Sequence, residues 1–137
     1  MGIRIDHIGI ATDNIEQATK FWSVLGLIQG RDETNDEQGV NIRFFGTDSG
    51  DSPKIELLEP LGPDTPIGKF LDKRGPGIQQ LAFEVDDLKA TIAHLIDADI
   101  CMIHETPMDG AHGTKIAFVH PSSTGGVLVE LVQYVTQ

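Results

Sequence analysis

The chain has 137 residues, with 10 Lys+Arg against 21 Asp+Glu and a formal net charge of −11. One domain fits that length, and 39% hydrophobic residues with 15 Gly and 7 Pro support a packed core over a disordered or low-complexity chain. The acidic excess excludes the basic face that nucleic acid or an anionic membrane would need, no run reaches the roughly 18–20 apolar residues of a membrane span, and a single cysteine, Cys101, excludes an intrachain disulfide or zinc knuckle. The charged start, Met1-Gly2-Ile3-Arg4-Ile5-Asp6-His7, has no apolar secretory stretch, so a cytoplasmic location is expected.

Ile8 and Ile10 alternate with His7 and Gly9, which predicts a strand. Asp13 or Asn14 then caps a helix whose apolar positions Ile15, Ala18, Trp22 and Leu25 recur at helical spacing, and Gly26 ends it. A strand is expected over 27–30, a polar loop over 31–38, a strand over 40–45, a turn, and a strand over 55–58. The turn-rich Glu59-Pro60-Leu61-Gly62-Pro63-Asp64-Thr65-Pro66 leads to a short helix over 67–73 and then to Gly75-Pro76-Gly77. Beyond it a strand over 78–85 passes through Asp86-Asp87 into a helix over 88–98, followed by strands near 101–104, 116–120 and 127–132.

The order β-α-β-β-β therefore occurs twice. Ile5-Asp6-His7-Ile8-Gly9-Ile10-Ala11 resembles Ile78-Gln79-Gln80-Leu81-Ala82-Phe83-Glu84, and Ile55-Glu56-Leu57 resembles Val129-Glu130-Leu131 one position further on. A half of this size buries too little surface to stand alone, so the expectation is one domain over 1–137 with repeat halves at about 3–60 and 76–135.

Four polar residues interrupt these apolar strands, and the repeat pairs them: His7 with Gln80, Glu56 with Glu130. A buried, unpaired carboxylate costs several kcal/mol, so its retention asks for a reason. Alternation sends Ile8, Ile10, Ile55, Leu57, Leu81, Phe83, Val129 and Leu131 toward the helices and the four polar side chains to the opposite face. A single histidine in a strand is more often a core or edge residue, and a single Glu is more often solvated. Recurrence in both halves is what points to a divalent-metal site of mixed N/O donors on a concave face. His94 and His120 read as surface and structural residues, His104 and Glu105 as a strand end, and Cys101 as a buried small residue.

The duplicated pattern resembles the vicinal oxygen chelate superfamily, which includes glyoxalase I and the methylmalonyl-CoA epimerases. Asp6-His7-Ile8-Gly9-Ile10-Ala11, Glu37-Gln38-Gly39-Val40, Ile55-Glu56-Leu57-Leu58-Glu59-Pro60-Leu61-Gly62, Thr65-Pro66-Ile67, Gly110-Ala111-His112-Gly113 and Gly125-Gly126-Val127-Leu128-Val129-Glu130-Leu131 are each similar to the epimerase branch. The resemblance implies an α+β fold in which two βαβββ modules form one curved mixed sheet around the metal site. It implies His7, Glu56, Gln80 and Glu130 as ligands of one divalent ion. Cobalt or manganese is expected first, with magnesium or nickel as alternatives. The departure is Gln79-Gln80, where many epimerases have a His pair; an amide oxygen at Gln80 suits harder ions.

The implied activity is that of an isomerase acting at C2 of methylmalonyl-CoA. The proton next to the thioester is removed, the enolate charge is stabilised by a Lewis-acidic metal, and the proton returns on the opposite face. Glu130 is the first choice as base and Glu56 the pseudo-symmetric partner; the strand Val40-Asn41-Ile42-Arg43 offers no other carboxylate or lysine. Arg43, Lys73, Arg74 and Lys115 are candidates to meet the anionic coenzyme, His112 is a candidate substrate contact, and a homodimer is expected. The rival readings are a glyoxalase I-type lactoylglutathione lyase, with nearly the same ligand chemistry, and a metal-free binding protein on the same fold, against which two inward Glu residues argue.

Overall fold

A computed structural model describes residues 2–50 and 53–135. The chain divides into two compact units, His7–Gln79 and Met1–Asp6 with Gln80–Gln137. The turn-rich linker and the helix that follows it thus stay with the first repeat.

The first unit takes up strand β1 (Arg4–Ala11) from His7 onward, then helix α1 (Ile15–Leu25), β2 (Ile28–Gln29), β3 (Glu33–Asn35), β4 (Val40–Gly46), β5 (Lys54–Pro60) and α2 (Pro66–Arg74). Strand order is β2-β4-β5-β1, with β3 also paired to β4; β1 and β5 are parallel and the other pairs antiparallel. The Asn14 side chain accepts the N–H of Gln17 to cap α1, and Gly26 ends the helix with φ 116°, a conformation that suits glycine. Ile15, Ala18 and Trp22 of α1 pack on Ile10, Phe45, Ile55 and Leu57.

The second unit takes up β6 (Gly77–Glu84) from Gln80 onward, then α3 (Leu88–Asp97), β7 (Met108–Asp109), β8 (Lys115–Val119) and β9 (Leu128–Gln133), in the order β6-β9-β8-β7. Leu88 and Ile92 of α3 pack on Phe83, Ala117, Val119, Val129 and Leu131. Of the residues expected to face the helices, Ile10, Ile55, Leu57, Phe83, Val129 and Leu131 do so. Ile8 and Leu81 are half-buried. Among the described residues, no helix is long and apolar enough to cross a membrane.

The duplication extends to single hydrogen bonds. Asp87 caps α3 through the N–H of Ala90, as Asn14 does through Gln17 in α1. Glu59 Oε2 accepts the N–H of Ile15 at 2.9 Å, and Gln133 Oε1 accepts that of Leu88 at 2.7 Å, so the last strand of each repeat satisfies the first exposed amide of its helix. The N–H of Thr12 bonds the carbonyl of Leu58, and that of Val85 the carbonyl of Val132.

Two strand expectations need correction, and the repeat explains both. The segment 31–38 is not all loop, because β3 forms there on β4, and its counterpart is β7 on β8. No strand forms at 101–104; only a single bridge from Met102 to Val119 remains, where the first repeat has the two-residue β2. Short edge strands carry too few residues for alternation to show. Cys101 is exposed rather than buried, its N–H bonded to Ser123 Oγ at 2.9 Å. His94 is exposed, and His120 accepts the Ser122 N–H at 3.0 Å, the structural part expected of it. His104 lies beyond any strand, with Nδ1 accepting the Phe118 N–H at 3.2 Å.

Arg43 is taken out of the coenzyme-contacting candidates. It is buried on the α1 side of β4, paired in register with Leu57. Its guanidinium donates to Asp32 at 2.9 and 2.8 Å, to Glu16 at 3.0 Å and to Thr19 Oγ at 2.9 Å. These bonds tie α1 and the segment before β3 to the sheet. Arg43→Ala is expected to lower stability by about 2–3 kcal/mol, read from the denaturant midpoint. That is less than for a fully buried pair, because the stranded carboxylates of Glu16 and Asp32 are more than half exposed and rehydrate. Hydrogen bonds from Arg43 hold the carboxyls of Asp32 and Glu16 below their usual values. A lowered carboxylate pKa stabilises fully above the unfolded value, about pH 4, and less as pH falls through the folded one. The variant's stability should therefore change less than the parent's between about pH 5 and pH 2.

Candidate metal centre

On β5, Ile55 and Leu57 face α1, so Glu56 points to the other side of the sheet. Its register partners are Gly9 on β1 and Phe44 on β4. His7 lies two positions before Gly9 and on the same side, with Nδ1 3.1 Å from Glu56 Oε2. Glycine at position 9 leaves the carboxylate room beside the imidazole, and Phe44 walls its other flank.

The second unit repeats this arrangement with one change of chemistry. Glu130 on β9 has Ala82 of β6 and Phe118 of β8 as register partners, at the repeat positions of Gly9 and Phe44. Gln80 stands where His7 does, and its Nε2 donates to Glu130 Oε1 at 2.5 Å. Ala82, Ile116 and Val132, with Met108 and Phe118, form the apolar surround on this side.

All four predicted residues are buried, between 4% and 7% exposed. Each unit thus brings together one nitrogen-bearing residue and one carboxylate, out of water and away from its helix. His7 and Glu56 belong to a group of donor residues whose ligand atoms lie within 4.8 Å of one another. A carboxylate acceptor fixes the protonated ring nitrogen of a histidine and leaves the other as a lone-pair donor. The Gln80 amide, donating through nitrogen, offers its oxygen to a cation. Each pair is an N/O donor set without thiolate, a carboxylate beside an imidazole in one unit and beside an amide oxygen in the other, and donors of this chemistry fit a divalent metal ion.

Asp6, next to His7 in β1, was not singled out by strand patterning, yet its carboxylate accepts the Tyr134 hydroxyl at 2.6 Å. Its aspartate-before-histidine position was the only signal available. The loop at Gly110-Ala111-His112-Gly113 forms a short 3-10 turn in which His112 has φ 57° and stays exposed. Thr114 is buried beneath that turn and donates its hydroxyl to the Ala111 carbonyl at 2.7 Å. Lys115 is ion-paired with Asp109 and, by alternation with Ile116, stands on the side away from Glu130.

Residues 6–118 match the Glyoxalase/Bleomycin resistance protein/Dioxygenase superfamily. The mitochondrial methylmalonyl-CoA epimerase of Bos taurus is 38% identical over 132 residues, which cover 95% of this chain and 74% of that protein. The crystal structure of methylmalonyl-CoA epimerase from Mycobacterium tuberculosis superposes with a TM-score of 0.91 at 40% identity, covering 97% of this chain and 89% of that one. A variant of the Streptomyces coelicolor methylmalonyl-CoA epimerase in complex with 2-nitronate-propionyl-CoA superposes with a TM-score of 0.89 at 35% identity, covering 97% and 98%. The chain therefore belongs to the glyoxalase/bleomycin resistance protein/dioxygenase superfamily and, within it, to the family of the methylmalonyl-CoA epimerases. The expected glyoxalase-type fold is the one it has.

Proposed function

We propose that this protein interconverts the C2 epimers of methylmalonyl-CoA, as a single domain over 1–137 in which His7, Glu56, Gln80 and Glu130 together hold one divalent metal ion. The observation that carries the reading is the repeated buried pair, His7 with Glu56 and Gln80 with Glu130, in a chain whose relatives are methylmalonyl-CoA epimerases. The family resemblance supports cobalt or manganese as the ion, with magnesium or nickel next; of these, the carboxylates and the amide oxygen suit manganese and magnesium as hard donors. When bound, the ion supplies Lewis-acid stabilisation of the negative charge that develops on the thioester oxygen.

The remaining work falls to the protein's own side chains. With Oε1 of Glu130 accepting from Gln80, Oε2 is assigned to the C2 proton, and the hydrogen bond from Gln80 holds that carboxylate in one orientation. Glu56, held by His7, would be protonated while Glu130 is ionised and would give its proton to the opposite face of C2, after which proton exchange with solvent resets the two carboxyls. The aromatic rings of Phe44 and Phe118 and the small residues Gly9 and Ala82 keep water from the flanks of both carboxylates, which strengthens every charge interaction there. The single cysteine and the acidic surface support a cytoplasmic enzyme, and the family resemblance supports a homodimer, checked by sedimentation equilibrium.

The test follows the C2 proton of methylmalonyl-CoA by NMR in heavy water, with metal-loaded and chelator-treated protein. Exchange is expected with the loaded protein, lost on chelation and restored by cobalt or manganese. No exchange by the loaded protein would sink the assignment.

A further inference from the structure

We infer that the outer face of α1, together with Ile28 of β2, is the surface through which two copies of this chain pair. The family resemblance supports a homodimer without saying which surface forms it. The pairing surface stands or falls apart from the substrate, because proton exchange tests the one and sedimentation the other.

Phe21, Val24 and Leu25 fall at i, i+3 and i+4 of α1, so they share one side of the helix, and they are 62%, 78% and 63% exposed. Ile15, Ala18 and Trp22 form the stripe that packs on the sheet. The end of α1 is therefore apolar toward both the sheet and solvent, the pattern of a helix covered on two sides. Leu27 packs into the core, and Ile28, next in the chain, is 54% exposed. Among the described residues, the other exposed large apolar side chains come one to an element or from connecting segments. The second repeat shows that the fold does not require this face. Asn14 and Asp87 cap α1 and α3, and Gly26 and Asp99 follow those helices with positive φ, so positions 21, 24, 25 and 28 correspond to His94, Asp97, Ala98 and Cys101. Those residues are polar or small, and all four are exposed.

The size of the face fits a second copy. At these exposures the four side chains present roughly 400 Å² of apolar surface, the scale at which a patch on one chain marks an interaction site. One side of a standard interface covers about 800 Å², somewhat more than half of it apolar, so the four residues supply most of the apolar surface that a dimer needs. Charge points the same way. Each copy carries −11, and two such chains approach closely only where acidic groups are absent from the contact. From Gln17 to Arg31 there is no Asp or Glu, and the exposed cations Lys20 and Arg31 flank the apolar residues. In a two-fold contact the same patch serves both copies, so cations at its rim meet a chain that is acidic elsewhere. A strongly basic partner would be drawn instead to that acidic remainder.

Sedimentation equilibrium compares the parent with Val24→Glu, Val24→Lys and an equimolar mixture of the two variants. The parent is expected to be a dimer at micromolar concentration, and each variant alone to dissociate with a Kd raised about a hundredfold, because like charges then meet across the two-fold axis. The mixture is expected to regain the dimer, which separates a lost interface from a lost fold. Asp97→Lys, at the matching place on α3, should leave the Kd unchanged. Trp22, the one tryptophan of the chain, gives a readout that needs no variant. The Phe21 ring stands edge-on to it at 5.1 Å, so its emission should move to longer wavelength as the parent is diluted through its Kd. A dimer that neither charge weakens, with an emission that does not follow dissociation, would put the pairing on another surface and overturn the inference. A monomeric parent would overturn it as well and leave the face to a different protein.

Discussion

Replacing Glu130 by Gln is expected to slow epimer interconversion about a thousandfold while leaving the fold intact. Glutamine keeps the length of the side chain and an oxygen that accepts from Gln80 Nε2, so the pair seen at 2.5 Å has a neutral counterpart in the variant. The substitution removes the basic oxygen and the negative charge of the Glu130 carboxylate. Deuterium wash-in at C2, followed separately for each purified epimer, distinguishes these losses. If Glu130 is the base for one face, the epimer presenting its proton to that face stops exchanging and the other still exchanges without inverting. If both epimers exchange at the parental rate, Glu130 holds the metal and does not move the proton. Metal content after gel filtration belongs in the same experiment, because loss of the ion stops both epimers together.

The long elements and the polar pairs were legible in the sequence for a common physical reason: both repeat. Alternation in β1, β5, β6 and β9 assigns an inner and an outer face, and a carboxylate at the same inner place in two halves stands out against an apolar background. The positions around these carboxylates were also readable in principle, since Gly9 matches Ala82 and Phe44 matches Phe118, but small and apolar residues carry no chemical signal until the register is known. What the sequence hid is set by tertiary contact. β7 has two residues and the bridge at Met102 only one, so each exists because β8 lies alongside. Arg43 offered a free-looking cation to a reader of the chain, and only the meeting of α1, β4 and the segment before β3 shows that three partners already hold it.

Glu56→Gln carries an equal expected effect and a mirror-image signature. Among β1, β4 and β5, the side of the sheet away from α1 presents His7, Gly9, Ile42, Phe44, Glu56 and Leu58, with Glu56 as its buried carboxylate. A two-face proton transfer needs a second acid/base group, and β4 supplies Ile42 and Phe44 on that side, neither of which titrates. The variant should therefore lose interconversion by about a thousandfold and retain C2 exchange for one epimer, the opposite of the one that still exchanges in Glu130→Gln. The substituted amide has the length of the native side chain and still offers His7 an oxygen acceptor. The ring orientation is therefore expected to persist, and the imidazole proton resonance bonded to that acceptor should move without vanishing. Retention of the same epimer's exchange in both variants would put the two carboxylates on one face of the substrate. Glu56 would then be a ligand alone, and the returning proton would have to come from a group outside the two buried pairs.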